Sequence, residues 1–256
     1  MSLIKRIARS VLHRVGGVPQ LDSFRDMQRL LGKDSVETVL AIGGCFGELA
    51  LKFEGLFPKA NIWSFEPNPE TFKTLTANIE GHSRITAVPK GCFSESQETE
   101  LYVNSWPGAC SLLDRPESDR PYHSPDAVHV GKVPVEVVPL DEWVVGEERV
   151  NKVDLIKLDV QGAELAVLEG AEGVLRDARA VYSEVQFFPN YENACLLEEL
   201  WGFLRARGFS LFQLYSIWGA SDGQIVQGDA LFISEEVRSK MLSRKKPFTS
   251  VTYQPS

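Results

Sequence analysis

Apolar residues recur along this chain with two alternating periods. Short runs of strand length, Thr38–Ile42, Asn61–Phe65, Ile85–Pro89, Leu155–Asp159, Ala180–Gln186, Ser210–Tyr215 and Ala230–Ile233, alternate with stretches of helical period. The helical stretches fall around Glu48–Leu56, Pro69–Asn78, Glu164–Leu175 and Ala194–Arg207. Such alternation predicts βα units, hence a doubly wound α/β fold of Rossmann-like type with a mostly parallel seven-stranded sheet and helices on both faces. Ser221-Asp222-Gly223, between the last two runs, predicts a hairpin and so an antiparallel final strand.

Residues 2–15 read as an amphipathic helix, with Leu3, Ile4, Ile7, Val11, Leu12 and Val15 on one stripe and Lys5, Arg6, Arg9, His13 and Arg14 mostly off it. A helix of that kind can lie on an anionic membrane surface, or dock on its own domain or a subunit partner. A second helix is expected over Ser23–Leu31, with Ser23 as its N-cap. The organisation expected is an N-terminal helical extension (1–35), a core domain (36–235) and a basic tail (236–256). Residues 98–139 interrupt the core pattern. Glu100–Asn104 and Val133–Val138 alternate like strands around a Pro-rich stretch, and a segment this long is either a functional cover over the site or a plain insertion.

Composition narrows the class. With 256 residues, 43% apolar and 24% charged, the chain suits one soluble α/β domain. A net charge of −8 argues against a nucleic-acid partner. Cys45, Cys92, Cys110 and Cys195 form no CxxC pair, so neither a zinc site nor a disulfide scaffold is indicated, and a reducing cytoplasm is the expected setting. No apolar run approaches the roughly 20 residues of a membrane span, and the start lacks the apolar centre of a secretion signal. Nothing in the pattern specifies an oligomeric state.

The chemistry gathers where strands end. The run Thr38–Ile42 enters Gly43-Gly44-Cys45-Phe46-Gly47, and the next run ends in Glu66-Pro67-Asn68. A glycine turn after a strand, followed about 20 residues later by an acid that can bond both ribose hydroxyls, is the pattern of an adenosine-containing cofactor site. The outer glycines are four apart rather than the five of a dinucleotide turn, and no basic clamp accompanies them. S-adenosylmethionine is therefore favoured, and a nucleotide-linked oxidoreductase is the minor reading. Ala41 stands where an acid often precedes such a turn.

Asp159 and Glu184 end successive strands at the rim where ligands sit in open parallel sheets. Where the acceptor is an alcohol, as the family resemblance given below implies, its proton must be removed by a carboxylate or an imidazole, so Asp159, Glu184 and His123 are the candidate catalytic groups, with His129 also in the insertion. Asp159 can instead cap the following helix, and Glu184 can pair with a basic residue. Two rim carboxylates can also hold a divalent cation, joined by Asp229 if the chain brings it near, although the spacing calls for none. Trp106, Tyr122, Phe187, Phe188 and Tyr191 can stack on a sugar or an apolar aglycone, or pack in the core.

Further motifs follow in order: Phe65-Glu66-Pro67-Asn68-Pro69-Glu70, Ser111-Leu112-Leu113, Pro139-Leu140-Asp141-Glu142, the run Asp154-Leu155-Ile156-Lys157-Leu158-Asp159-Val160-Gln161-Gly162-Ala163-Glu164, Glu184-Val185 and Gln227-Gly228-Asp229-Ala230. With the glycine turn, they make the chain resemble the FkbM-type S-adenosylmethionine-dependent methyltransferases over roughly residues 36–233. The resemblance implies a class I methyltransferase fold and methyl transfer to a hydroxyl of a sugar, glycolipid or glycan, or sugar-bearing natural product. It implies that Glu66, followed by Pro67 and Asn68, grips the ribose, and that the turn Gly43, Gly44, Cys45, Phe46 and Gly47 lines the methionine end. Cys92, Phe93 and Ser94 would border the adenine, and Asp159 and Gln161 would complete the cofactor site. The family commonly has Asp at the position of Ala41; Glu48 could substitute, or the chain could keep the fold as a non-catalytic binding module.

Overall fold

The structure, a computed structural model, describes residues 21–115 and 128–243. The segment 2–15, Tyr122, His123 and the basic residues from Arg244 onward lie outside the described residues.

The chain enters through helix α1 (Ser23–Leu31) and then alternates: β1 (Thr38–Ile42), α2 (Glu48–Leu56), β2 (Asn61–Phe65), α3 (Pro69–Asn78), β3 (Ile85–Val88). Next come β4 (Gly91–Cys92), β5 (Gln97–Asn104), a short 3-10 turn at Pro107–Ala109, and β6 (His129–Val138). The second half runs α4 (Leu140–Gly146), β7 (Leu155–Leu158), α5 (Glu164–Glu169), α6 (Glu172–Asp177), β8 (Ala180–Gln186), α7 (Leu197–Ala206), β9 (Phe209–Gly219), β10 (Ile225–Ser234) and α8 (Glu235–Ser243).

Seven strands form one sheet in the order β3-β2-β1-β7-β8-β10-β9. The pairs from β3 to β8 are parallel, and β10 is antiparallel to both β8 and β9. This is the doubly wound sheet expected from the periodicity, with its antiparallel strand in place. The hairpin turn also falls where expected: Ala220 and Gln224 exchange a backbone bond around Asp222 and Gly223.

Alternation along the strands sends side chains to two cores. Leu40, Ile42, Ile156, Leu158 and Val181 join Leu140, Val167, Leu168, Leu200 and Leu204 on one face. Val39, Ala41, Leu155, Ala180 and Tyr182 join Met27, Phe53, Leu75 and Val237 on the other. Helix α8, which opens the stretch read as a basic tail, packs by Val237 into this second core.

Local expectations differ at several places. The N-cap of α1 is Asp22, whose Oδ1 accepts from the Arg25 N–H at 3.0 Å, and Ser23 is the first buried residue of the helix. The stretch Glu164–Leu175 divides into α5 and α6. A side chain at Gly170 would strike the Phe93 carbonyl oxygen, so the backbone is pressed against its neighbour there. The Asp141 carboxylate then starts α6 by accepting from the Gly173 and Val174 N–H groups at 2.7 and 2.8 Å. The last two strands are longer than their apolar cores suggest. Asp229 consequently lies inside β10, opposite Glu184, rather than ahead of the strand. Residues 98–139 also hold more regular structure than a loop, since β5 and β6 pair antiparallel and with β4 make a second, three-stranded sheet.

Candidate active site

At the carboxyl ends of β1, β2, β7 and β8 a cavity of about 570 Å³ opens, roofed by the segment from Trp106 to Leu112. Its size falls in the ~300–1,000 Å³ span of small-molecule sites.

One end is built around the glycine turn. Gly43 has φ +83, and a Cβ there would lie 1.9 Å from the Asp159 carbonyl oxygen. Glycine is required here because two strand ends meet, with or without a ligand. The turn's amides are already engaged. Gly43 and Gly44 donate to the Phe65 carbonyl at 3.2 and 2.7 Å, and Gly47 to Gly44. The Cys45 N–H donates to Glu66 Oε2 at 2.8 Å. Four amides of the turn are thus spent within the protein.

Glu66 closes this end. Its Oε1 accepts from the Asn68 N–H at 2.9 Å, so each oxygen keeps capacity for one more donor. Burial pushes its carboxyl up to about 7, against the opposing pull of the Asn68 and Cys45 amides. Gly43, Gly44, Cys45, Phe46, Glu66, Pro67 and Cys92 all line the cavity, as does Glu48. Asn68 instead spends its Oδ1 on the first turn of α3, and Phe93 packs against the small sheet; neither these two nor Gly47 nor Ser94 is in the lining. Burial raises the Cys45 thiol to about 11 and the Cys92 thiol well above its ordinary value, so both stay unreactive at neutral pH. Ala41 is also outside the lining. It lies in register with Lys157 of β7, on the face packed by α1 and α2.

The other end is a continuous polar wall. Lys157, 2% exposed in the middle of β7, sends its ammonium to the Leu158 carbonyl at 2.6 Å and to Asp159 Oδ2 at 3.2 Å. Gln161 Nε2 donates to Asp159 Oδ1 at 3.0 Å and to Glu184 Oε2 at 2.7 Å, bridging the two carboxyls. Gln227 Nε2 donates to Glu184 Oε1 at 3.0 Å, and Asn190 Nδ2 to Gln227 Oε1 at 3.2 Å. Gln161 holds a left-handed φ of +57, uncommon for a residue with a side chain. It is fixed there by the two carboxyls and by Tyr191, whose hydroxyl lies 2.8 Å from Gln161 Oε1.

Burial, together with the charges of Asp159, Glu164 and Asp229, pushes the Glu184 carboxyl well above the usual carboxylate range, with Lys157 opposing. Asp159 is not the cap of the next helix. That helix has no side-chain cap; the Glu164 carboxylate accepts instead from the Val160 and Gly162 N–H groups of the turn before it. Glu184 meets two glutamine amides instead of a basic residue.

The structure thus brings Asp159, Glu184 and Gln161 together at one cavity wall. His129 stands on β6 beside Tyr102, away from the cavity, and His123 falls outside the described residues. Tyr191 is buried beneath the wall with the Arg115 guanidinium 5.0 Å from its ring, and Phe187 packs on the core; neither faces the cavity as a stacking platform. Trp106 does line it, 61% exposed. Sequence reasoning missed Trp218, Asn190, Gln227 and Arg115 in the lining, and Lys157 behind it. Only Lys157 carried a signal, as a lysine inside an otherwise apolar strand. Among the described residues, no group of three or more His, Cys, Asp or Glu is arranged to hold a metal ion.

The sequence model of a family described as "Methyltransferase FkbM domain" matches residues 42–211. The chain is 29% identical over 177 residues to the 2-O-methyltransferase NoeI of Sinorhizobium fredii, covering 67% of this chain and 72% of NoeI. It is 29% identical over 127 residues to the hexuronic acid methyltransferase AglP of Haloferax volcanii, covering 50% of this chain and about half of AglP (48%). Among solved structures, magnesium protoporphyrin IX methyltransferase of Synechocystis with bound S-adenosylmethionine superposes with a TM-score of 0.45 at 10% identity, covering 89% of this chain and 91% of that one.

Proposed function

The chain belongs to the FkbM methyltransferase family, and from that premise we propose that it transfers the methyl group of S-adenosylmethionine to a hydroxyl oxygen of a sugar, free or carried on a glycan, glycolipid or natural product. The observation that carries this reading is a single cavity with a buried carboxyl suited to a ribose at one end and a bridged carboxyl pair at the other. The relatives support the acceptor class, one being a 2-O-methyltransferase and another a hexuronic acid methyltransferase.

S-adenosylmethionine supplies a methyl group on a sulfonium and has no phosphate to neutralise. The residues fit that ligand: Glu66 has a free acceptor site on each oxygen, and the turn's amides are spent within the protein. The four-residue glycine span weighs against a pyrophosphate-bearing cofactor, and hence against the oxidoreductase reading. Glu66 would bond the ribose, with the turn and Cys92 around the rest of the molecule.

At the acceptor end, the proton leaving the hydroxyl goes to Asp159. Its Oδ2 faces the Lys157 ammonium, whereas Glu184 is held between two neutral amides, with burial and the neighbouring carboxylates pushing its carboxyl up. Gln161 fixes the separation of the two carboxyls, so that the acceptor hydroxyl meets Asp159 in a set position. The wall and the roof over it exclude water and hold the acceptor oxygen in line for displacement.

Calorimetry with S-adenosylmethionine and its demethylated product, followed by methyl-transfer assays on glycosides read by mass spectrometry, tests the proposal. Absence of binding at millimolar ligand would overturn it in favour of a non-catalytic module. No helix among the described residues is long and apolar enough to cross a membrane. Contact of residues 1–15 with an anionic surface is part of the proposal, motivated by their basic amphipathic pattern. Equal vesicle co-sedimentation of the full chain and of a chain lacking residues 1–15 would remove that part.

A further inference from the structure

The polar wall ends in an unanswered acceptor. Each amide along it has its orientation set by its neighbour: Gln227 must turn Nε2 toward Glu184, which leaves Oε1 for Asn190, and Asn190 must turn Nδ2 toward Gln227 Oε1. Asn190 Oδ1 is therefore left outside the chain of amides. It has no hydrogen-bond partner among the described residues, although Asn190 is only 4% exposed and lines the cavity. A buried carbonyl oxygen without a donor is costly, and such an atom in a site wall marks a place for a ligand's donor.

Beside it stands an aromatic face. Trp218 of β9 is paired in register with Gln227 of β10, lines the same cavity and is 43% exposed. Trp218, Gln227 and Asn190 come from the β8–β10–β9 side of the sheet, on the far side of Asp159 and Glu184 from Glu66 and the glycine turn. A pyranose has both features that this corner matches: a face of C–H groups, which packs on the electron-rich face of an indole, and a rim of hydroxyl donors.

We propose that Trp218 and Asn190 form the acceptor subsite, which takes a polyhydroxylated ring by stacking its C–H face on Trp218 while a hydroxyl other than the methylated one donates to Asn190 Oδ1. The assignment rests on the methyltransferase reading above and adds to it a requirement: the acceptor carries a second free hydroxyl near the one that is methylated. Trp218 sets affinity for the ring, and Asn190 selects among rings by the position of that second hydroxyl.

The test uses the full chain and methyl glycosides of gluco, manno, galacto, fuco and glucurono configuration. Saturation-transfer NMR in the presence of S-adenosylhomocysteine reads contact, and mass spectrometry with S-adenosylmethionine reads transfer. We expect ring C–H signals that vanish in Trp218→Ala and persist in Trp218→Phe. The acceptor KM should rise about tenfold or more in Trp218→Ala at unchanged affinity for S-adenosylhomocysteine. Among monodeoxy analogues of the best glycoside that keep the methylated hydroxyl, the wild type should discriminate against one by about tenfold or more, and Asn190→Ala should lose that discrimination. Glycoside methylation that is indifferent to Trp218→Ala overturns the subsite and leaves the methyltransferase reading standing. Contact that depends on Trp218 without any methyl transfer supports the subsite and removes the reading. Absence of glycoside contact with the wild type overturns the subsite.

Discussion

At the β1–β2 end of the cavity, the groups that shape the site all come from the stretch between Gly43 and Pro67, with Cys92 just beyond. They are bound to one another through backbone amides: Phe65 holds Gly43 and Gly44, and Glu66 holds Cys45 and Asn68. At the β7–β10 end the groups come from five separate elements and meet only through side chains, as the run Lys157, Asp159, Gln161, Glu184, Gln227 and Asn190 shows. The first end is a rigid local motif that can serve many acceptors. The second is a hydrogen-bonded network whose inner members each depend on two neighbours, and a change in any one alters what the wall presents. Under the proposed function, binding of a common donor and choice of an acceptor would be separated within one cavity.

The largest effect should come from the network. Asp159→Asn keeps the shape but removes the proton acceptor, and turnover should fall by about 10²–10⁴-fold with cofactor affinity unchanged. Full turnover in this variant, measured by the transfer assay, would place the base elsewhere. Gly43→Ala should break the separation itself, because its new Cβ would strike the Asp159 carbonyl and its φ of +83 is strained for alanine. It is expected to lose about 2–4 kcal/mol of stability in denaturant unfolding and to damage donor binding and turnover together. A stable variant with normal binding would show that the two ends are mechanically independent.

Glu66→Ala should weaken S-adenosylmethionine by about 1–3 kcal/mol, read by calorimetry, while the acceptor KM stays put. The smallest effect is one of pH. Glu66 sits at about 7 in the free protein, and ribose hydroxyls donate to its ionised form. Protonation then competes with binding, so affinity should fall as pH drops from 8 to 6, by up to about tenfold, and Glu66→Gln should abolish the trend. A flat profile in the wild type would mean that the ribose lies elsewhere.

Much of this molecule could be read before folding. The strands β1, β2 and β8 and helices α2 and α3 begin and end where the apolar periods say, because each is a short, regular segment buried against the sheet. The misplaced features were those decided by contact with distant segments. The break between α5 and α6 depends on Phe93 and Asp141, and the position of Asp229 depends on pairing with β8. Helix α4 escaped notice although Asp141 and Glu142 in its first turn were visible.

In the site, Gly43, Glu66, Asp159 and Glu184 were legible because each is a residue type with a constrained task at a strand end. Glycine tolerates the turn, and a carboxyl at a rim has a chemical use. Gln161 was picked out, but its task as the bridge between two carboxyls was not. Asn190, Gln227 and Trp218 had no such local mark. Amides and a lone tryptophan occur anywhere, and their meeting depends on the antiparallel register that sets Gln227 beside Trp218 and against β8.

By itself, then, the sequence determined the βα alternation, the glycine turn, the carboxylate at the end of the second strand and the family, all properties of contiguous segments whose physics is local. Only the tertiary structure decided which amides bridge the carboxyls, that Ala41 lies in register with Lys157 and outside the cavity, and that an unpaired Asn190 oxygen and an exposed Trp218 line the same cavity. Those depend on strand order and register, which the packing of the whole sheet sets and no single segment contains.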